Sequence, residues 1–204
     1  MSIHGTAFAK DFPMTQLQEA FARPLILGAS VSGDFLTESP GKRLALRYTK
    51  LAQITVIAKK GTAGKELLKS MPASALKDRT SIIAMDLFFW DSFAANPAES
   101  LKAMDRLVKL AQQQKIPIVL GNVPALMPTR QPSVDAINKQ IKELCQNYSS
   151  CKILPLDLIL QKILKEGHIT QDGKRYGLET LLPDGLHISK PASEYLADQI
   201  LAIF

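Results

Sequence analysis

Short apolar runs alternate along this chain with longer segments in which apolar residues recur every three or four positions. The short runs are apolar at nearly every position, which is typical of strands buried on both faces of a parallel sheet. We predict five such strands, at 24–29, 53–58, 81–85, 116–120 and 153–158. We predict helices at 43–51, 64–71, 97–114, 133–147 and 191–203. Strands that alternate with helices indicate an α/β fold, in which a parallel sheet is covered on both sides.

Length and composition fit one globular domain. The chain has 204 residues, of which 46% are hydrophobic and 22% charged, as in an ordinary soluble protein. We predict a single domain over residues 1–204, with residues 1–20 as a loosely packed N-terminal extension. No apolar run approaches the length of a membrane-spanning helix, so no transmembrane segment is predicted.

The net charge of +6 is spread along the chain rather than gathered in one tract. Lys59, Lys60 and Lys65 form the densest group. We interpret them as the solvated edge of a helix, and a weak attraction to anionic substrates or surfaces is the alternative. No nucleic-acid partner is predicted.

The first predicted strand ends in a turn of small residues that contains a candidate nucleophile. Its apolar run stops at Leu27, and Gly28, Ala29 and Ser30 follow. Small residues here let the backbone bend sharply and leave a side chain exposed at the sheet edge, where open α/β sheets place ligands and nucleophiles. Ser30 is the predicted nucleophile. Ser32 is a weaker candidate because no glycine precedes it closely.

Near the other end of the chain, Asp184 and His187 lie three residues apart, with Gly185 between them. A serine hydroxyl needs a base to take its proton, and a carboxylate can orient an imidazole for that task. We therefore predict His187 as the base and Asp184 as its partner. The other histidines, His4 in the N-terminal segment and His168 in a predicted loop, have no such carboxylate pattern nearby, and so few histidines make a metal site improbable.

These two blocks resemble those of the SGNH/GDSL hydrolase superfamily, whose members carry a Gly-Asp-Ser core near the N-terminus and Asp-x-x-His near the C-terminus. The first is matched by Gly28-Ala29-Ser30 and the second by Asp184 and His187. The family's second block is a glycine after the second strand, for which Gly64 is the better candidate. The resemblance implies a flavodoxin-like three-layer α/β/α sandwich with a central five-stranded parallel sheet.

The resemblance also implies the chemistry. A small-molecule carboxylic ester would be hydrolysed through an acyl-enzyme, with no cofactor and no metal. Ser30 would attack, His187 would act as base, and the backbone amides of Ser30 and Gly64 would hold the oxyanion. Acyl transfer to an alcohol would use the same residues. A binding or accessory protein with weakened catalysis is the alternative from a different class.

The third block departs from the family pattern. The family has Gly-x-Asn-Asp after the third strand, and its asparagine donates to the oxyanion. In this chain Asp86 stands at the asparagine position, and an ionised carboxylate cannot donate. Asn122 as donor, or a protonated Asp86, are the alternatives. If Asp86 faces the oxyanion, Asp86→Asn is expected to raise the rate; if it caps a turn, the rate would stay flat or fall.

An aromatic segment, Phe88, Phe89 and Trp90, follows the third predicted strand closely. One interpretation is core packing, and the other is an apolar wall for the acyl group of the substrate. The sequence does not decide between them, and it does not reveal the acyl chain length, the alcohol or the oligomeric state.

Two cysteines, Cys145 and Cys151, lie between a predicted helix and the next strand. A local disulfide, which would imply an oxidising compartment, and two reduced thiols are equally favoured. The N-terminus lacks the apolar region of a complete signal peptide. Residues 7–9, Ala-Phe-Ala, resemble a cleavage site, so a periplasmic or secreted location is compatible with a trimmed start, and localisation stays open.

Overall fold

A central sheet of five parallel strands organises the computed structural model, which describes residues 14–125 and 128–204. The strand order is β2-β1-β3-β4-β5. The strands are β1 (Pro24–Gly28), β2 (Thr55–Ala58), β3 (Ser81–Ala84), β4 (Ile118–Gly121) and β5 (Cys151–Leu154). An antiparallel hairpin follows, formed by β6 (His168–Gln171) and β7 (Lys174–Gly177). The predicted five-stranded parallel sheet is confirmed.

Helices connect the strands and cover both faces of the sheet. They are α1 (Met14–Ala20), α2 (Pro40–Ala45), α3 (Gly64–Ser70), α4 (Ala98–Gln113), α5 (Gln131–Asn147), α6 (Leu156–Glu166), α7 (Leu178–Leu181) and α8 (Lys190–Ile203). Within the described part of the chain, none of them is both long and apolar enough to cross a bilayer.

The hydrophobic core has two parts, one on each face of the sheet. On one face, side chains of α3, α4 and α5 pack against alternate strand residues such as Leu25 and Ile82. On the other face, α2 and α8 pack against the opposite set, which includes Ile83 and Val119. Alternate residues of a strand point to opposite faces, so strands that are apolar throughout supply both cores. The predicted three-layer α/β/α arrangement is therefore confirmed.

The topology determines where a site can form. From β1 the chain moves to β2 on one side, and it then crosses back to place β3 on the other side of β1. In a doubly wound sheet, ligands bind at the carboxyl edge next to such a reversal. Ile26 of β1 is in register with Ile83 of β3, so the loops that follow both strands leave the same edge side by side.

Three local predictions are wrong. The strand predicted over 153–158 ends at Leu154, and α6 begins at Leu156, because Pro155 between them has no N–H for the sheet ladder. The helix predicted over 43–51 spans Pro40–Ala45 instead, since Ser39 caps it and accepts from Lys42 N. His168, predicted to lie in a loop, is the first residue of β6 in the β6–β7 hairpin.

The N-terminal extension is only partly described. Residues 1–13 lie outside the described residues, and 14–20 form α1, which has no buried residue. Leu17 and Ala20 nevertheless pack against the second core. The end of the segment predicted as loosely packed is thus a short helix in contact with the domain.

Candidate active site

Ser30 lies in the turn that leaves β1. The N–H of Gly33 donates to the carbonyl of Ala29, and the N–H of Phe35 donates to that of Ser30, so the chain folds into a tight turn directly after the strand. Ser30 is buried, with 6% of its surface exposed. The turn fixes the direction in which its hydroxyl points.

The structure brings His187 to this hydroxyl. His187 Nε2 lies 3.1 Å from Ser30 Oγ, and Nδ1 lies 2.6 Å from Asp184 Oδ2. With its proton on Nδ1, the ring donates to Asp184 and leaves Nε2 as an acceptor for the serine hydroxyl. Three residues predicted from separate ends of the chain therefore form one hydrogen-bonded series.

The loop that carries His187 is built around the Asp184 carboxylate. Its Oδ1 accepts from the backbone N–H groups of Leu186 and His187. Gly185 between them has a positive φ of 76°, a conformation that glycine adopts without strain. The hydrogen bonds from the His187 backbone and ring hold the pKa of Asp184 well below its usual range. The carboxylate therefore stays charged and can stabilise an imidazolium.

Asp86 binds the Ser30 turn. Its two carboxylate oxygens accept from the backbone N–H groups of Ala29, at 3.1 Å, Val31, at 2.9 Å, and Ser32, at 3.3 Å. The Ser32 hydroxyl also donates to Asp86 Oδ1, which removes Ser32 as a nucleophile. Asp86 thus caps a backbone turn, although the turn follows β1 rather than its own strand.

The carboxylate fits because residue 28 is glycine. A Cβ at Gly28 would lie 2.0 Å from Asp86 Oδ1 and 2.3 Å from Ser32 Oγ, far closer than atoms can approach. Burial raises the pKa of Asp86, against the four hydrogen bonds that lower it. Gly28 and Asp86 therefore form a matched pair between β1 and the loop after β3.

The backbone of Gly64 already has a hydrogen-bond partner. Gly64 N donates to Asp91 Oδ2, and Lys65 N donates to Asp91 Oδ1 at 3.2 Å. Asp91 is fully buried. A Cβ at Gly64 would lie 2.5 Å from the carbonyl oxygen of Leu87, so this position is closely packed. The sequence analysis missed Asp91, for which the signal is a second acid at the end of the apolar segment that follows Asp86.

Asn122 follows β4 at the same edge of the sheet. Its Oδ1 accepts from the N–H of Asp157 at 3.2 Å, which connects it to the first turn of α6. Its Nδ2 makes no hydrogen bond with the residues that the structure describes. Asn122 and Ser30 line the same cavity, so this amide is available to a ligand beside the serine.

A cavity of about 170 Å³ opens beside Ser30. Phe89 and Trp90 line it, whereas Phe88 lies in the core on the α3–α4 face and does not line it. The interpretation as an apolar wall therefore fits Phe89 and Trp90, and the interpretation as core packing fits Phe88. Helices α6, α7 and α8, which the sequence analysis did not connect with the site, supply nine of the 24 lining residues.

Phe35 lies against the histidine and Lys60 lies over Phe35, and the sequence analysis assigned neither to the site. The ring of Phe35 packs against that of His187, with 4.3 Å between centroids. Lys60 Nζ lies 3.5 Å from the centroid of Phe35, in cation–π range. Of the dense group Lys59, Lys60 and Lys65, Lys60 therefore contacts the site through the ring of Phe35.

His168 is not part of this arrangement. His168 Nδ1 lies 2.9 Å from the carbonyl oxygen of Glu166, and His4 lies outside the described residues. Among residues 14–125 and 128–204, no cluster of three or more histidine, cysteine or acidic side chains is arranged to hold a metal ion.

Known structures with a similar fold are esterases and lipolytic proteins. A member of the lipolytic protein G-D-S-L family from Veillonella parvula aligns with a TM-score of 0.64 at 14% identity, over 89% of this chain and 97% of that one. The psychrotrophic esterase EstA from Pseudoalteromonas sp. aligns at 0.56 and 17%, over 87% and 93%. AlinE4, an SGNH-hydrolase family esterase, aligns at 0.51 and 21%, over 79% and 92%.

Sequence comparison adds nothing to this likeness. No protein-family model matches the chain, and no curated protein matches it. The similarity is therefore one of overall fold, at identities of 14–21%. The chain therefore has the fold of the SGNH/GDSL hydrolases.

Proposed function

We propose that this protein hydrolyses a carboxylic ester through an acyl-enzyme formed on Ser30. The observation that carries the proposal is the series from Ser30 Oγ through the His187 ring to Asp184, with distances of 3.1 and 2.6 Å. Both lie in the range in which a general base takes a proton from a nucleophile. The esterases that share the fold add support.

In the first half of the reaction, Ser30 Oγ attacks the acyl carbon while His187 Nε2 takes the hydroxyl proton. Asp184 holds the ring in the correct tautomer and stabilises the imidazolium. The imidazolium then gives its proton to the departing alkoxide, and the alcohol leaves. In the second half, His187 deprotonates a water molecule that attacks the acyl-enzyme, and Ser30 recovers its proton as the carboxylic acid departs.

We assign the oxyanion to two donors, the backbone N–H of Ser30 and the side-chain amide of Asn122. The N–H of Gly64, which the family resemblance favours, donates to Asp91, and the Asp86 carboxylate is occupied by the Ser30 turn. Asn122 lines the same cavity as Ser30, and within the described part of the chain its Nδ2 donates to no protein acceptor. One donor of this kind is worth about 10²–10³ in kcat.

A fluorophosphonate probe tests the nucleophile directly. It is expected to add one phosphonyl group to Ser30, identified by peptide mass spectrometry, because the probe reacts with activated serines. Ser30→Ala is expected to lose both labelling and the hydrolysis of p-nitrophenyl esters while melting like the parent. Ser70→Ala, on the exposed end of α3, is the matched control and keeps both. A label on Ser32, or parent rates in Ser30→Ala, would remove the assignment.

A binding protein on the same fold is the second candidate. The engagement of Gly64 N by a fully buried aspartate favours it, since this leaves fewer donors for an oxyanion. Absence of labelling at every pH from mildly acidic to alkaline, together with retained binding of a ligand in the cavity, would support this candidate over the hydrolase.

A further inference from the structure

We propose that the cavity beside Ser30 binds a linear apolar acyl chain of about six to eight carbon atoms, so that medium-chain esters are the substrates. The inference rests on the proposed function, because it takes Ser30 as the atom that the acyl carbon must reach. It adds the substrate class, which neither the hydrogen-bonded series nor the fold specifies.

The lining has the polarity that such a chain requires. Its charged or amide-bearing members are Asp86 and Asn122, and both lie at the carboxyl edge of the sheet, where Ser30 also lies. Away from that edge the lining is almost entirely aliphatic, and includes Leu181, Ile188 and Leu196. A ligand with one polar end at Ser30 and an apolar remainder matches this distribution.

Helix α6 supplies the strongest evidence that the space is built for a ligand. Leu156, Ile159, Leu160 and Ile163 all line the cavity, and their spacing puts them on one face of the helix. Although this face is apolar, no residue of α6 is buried, whereas α4 and α5 each bury five. Three of these residues, Leu156, Ile159 and Ile163, are half-buried and pack along the second core, so the apolar face of α6 lies between that core and the cavity.

The size of the cavity sets the chain length. An apolar cavity of about 150 Å³ accommodates benzene, so about 170 Å³ holds slightly more than six carbon atoms. The lining residues of α6 extend over eight positions, or about 10 Å of helix. A space lined over this length of helix suits a linear chain. The pocket is apolar, is partly open to solvent and lies next to the proposed nucleophile, which is the usual character of a small-molecule site.

The first measurement is kcat/KM on p-nitrophenyl esters from acetate to palmitate. Each buried methylene is expected to raise the value about threefold to fourfold, up to a maximum at hexanoate or octanoate and a decline beyond. Leu160→Trp places a large ring in the cavity and is expected to lower the octanoate-to-acetate ratio at least tenfold. Leu158→Trp is the matched control, because Leu158 is on the same helix, is 60% exposed and does not line the cavity.

Binding of sodium octanoate to the Ser30→Ala variant, measured by calorimetry, tests the cavity without turnover. Octanoate is expected to bind Ser30→Ala and Ser30→Ala/Leu158→Trp, and at least tenfold more weakly to Ser30→Ala/Leu160→Trp. Ile163→Phe repeats the test if Leu160→Trp fails to fold. Octanoate binding without any ester hydrolysis would retain the cavity assignment and refute the proposed function. Fastest turnover on acetate without octanoate binding would refute the cavity assignment and keep the hydrolase.

Discussion

At the residue scale, the position of the nucleophile depends on one carboxylate that takes no part in the proposed bond changes. Asp86 accepts hydrogen bonds from three backbone N–H groups that flank Ser30, those of Ala29, Val31 and Ser32. Each hydrogen bond to a charged group stabilises a fold by about 1.5–3 kcal/mol, and burial of the charge offsets part of this. Asp86 therefore acts on the reaction through the turn that it holds.

We expect Asp86→Asn to lower kcat/KM at least tenfold and the free energy of unfolding by about 1–3 kcal/mol. An asparagine would set its NH₂ group against N–H donors that now meet an oxygen. Urea unfolding and ester hydrolysis measure the two effects. Asp105→Asn, which removes an exposed pair with Lys109 on α4, is the control and should change stability by under about 1 kcal/mol. A faster Asp86→Asn enzyme that melts like the parent would instead put this side chain at the oxyanion.

Replacing Asn122 distinguishes its proposed role as a hydrogen-bond donor to the oxyanion from its structural role as an acceptor for the N–H of Asp157. We expect Asn122→Asp and Asn122→Ala both to lower kcat about 10²–10³-fold, because both lose the amide donor. Asn122→Asp keeps an oxygen for the N–H of Asp157, so it should retain more stability than Asn122→Ala. Steady-state kinetics and thermal melting report the two properties. If Asn122→Asp kept the kcat of the parent, Asn122 would not be the oxyanion donor, and the backbone N–H of Ser30 would act with a different donor.

Asp184 should make stability depend on pH in a particular direction. Hydrogen bonds from His187 lower its pKa in the folded state, so its contribution is full above its unfolded pKa of about 3.9 and is lost as pH falls through the lower folded value. Asp184→Asn should therefore be less stable than the parent at pH 7, with the difference shrinking below about pH 4. Urea unfolding at pH 7, 5 and 3 measures it.

The same variant has a catalytic consequence, since the amide that replaces the carboxylate would no longer hold the imidazole in its reactive tautomer. A loss of about 10⁴ in kcat at neutral pH is expected. A stability difference that stayed constant down to pH 3 would mean that the hydrogen bonds of the loop do not lower the pKa of Asp184. The loss in kcat would then need another explanation.

At the element scale, the chain separates the parts that hold the fold from those that form the site. The disulfide between Cys145 and Cys151 joins the last turn of α5 to the first residue of β5. Cys151 is in register with Ile118, the first residue of β4, so the bridge lies at the amino edge of the sheet. Ser30 and Asp86 lie at the opposite edge.

We therefore expect Cys145→Ala/Cys151→Ala to lose stability and keep activity. Closing a loop of six residues is worth about 2 kcal/mol, or about 4–8 °C in Tm for a chain of this length. The variant should keep parent kcat/KM at 25 °C. Dithiothreitol should lower the Tm of the parent to that of the variant and leave the variant unchanged. A large fall in activity without a fall in Tm would connect the bridge to the site.

Element types were easier to predict from the sequence than element ends. Strands such as β1 and β4 are apolar throughout, which specifies a buried strand without reference to the rest of the fold. The region after β5 was predicted poorly, because Ile153 to Leu158 is apolar across the junction of a strand and a helix. Periodicity cannot divide such a run, and only Pro155 marks the boundary.

At the scale of the whole molecule, the strand order explains why the site was partly predictable. Parallel strands put their carboxyl ends at one edge, so a serine after β1 was expected near that edge, and the Asp-x-x-His spacing supplied its partners. The contact from Asp86 to the Ser30 turn was not expected, because it depends on β3 lying beside β1. The engagement of Gly64 by Asp91 depends likewise on how the loop after β3 folds back.

The cavity was beyond prediction for the same reason. It forms where α6, α7, α8 and the β6–β7 hairpin meet the sheet, and its volume is the space left after all of them have packed. No local sequence pattern specifies the volume that is left after these elements have packed. The aromatic residues after β3 gave a partial indication, since Phe89 and Trp90 do reach the lining.

The unfilled space under α6 also bears on how durable the protein is. The pocket is partly open to water, so the packing that the fold forgoes there is at most about 4 kcal/mol, taking about 24 cal/mol for each Å³ left empty over about 170 Å³. Selection for thermostability alone should therefore favour larger side chains at positions such as Leu160. The resulting proteins would be more stable but would hydrolyse esters of long acyl groups more slowly. Thermostability and the range of acyl chains that the protein accepts would then place opposing demands on the cavity-lining face of α6.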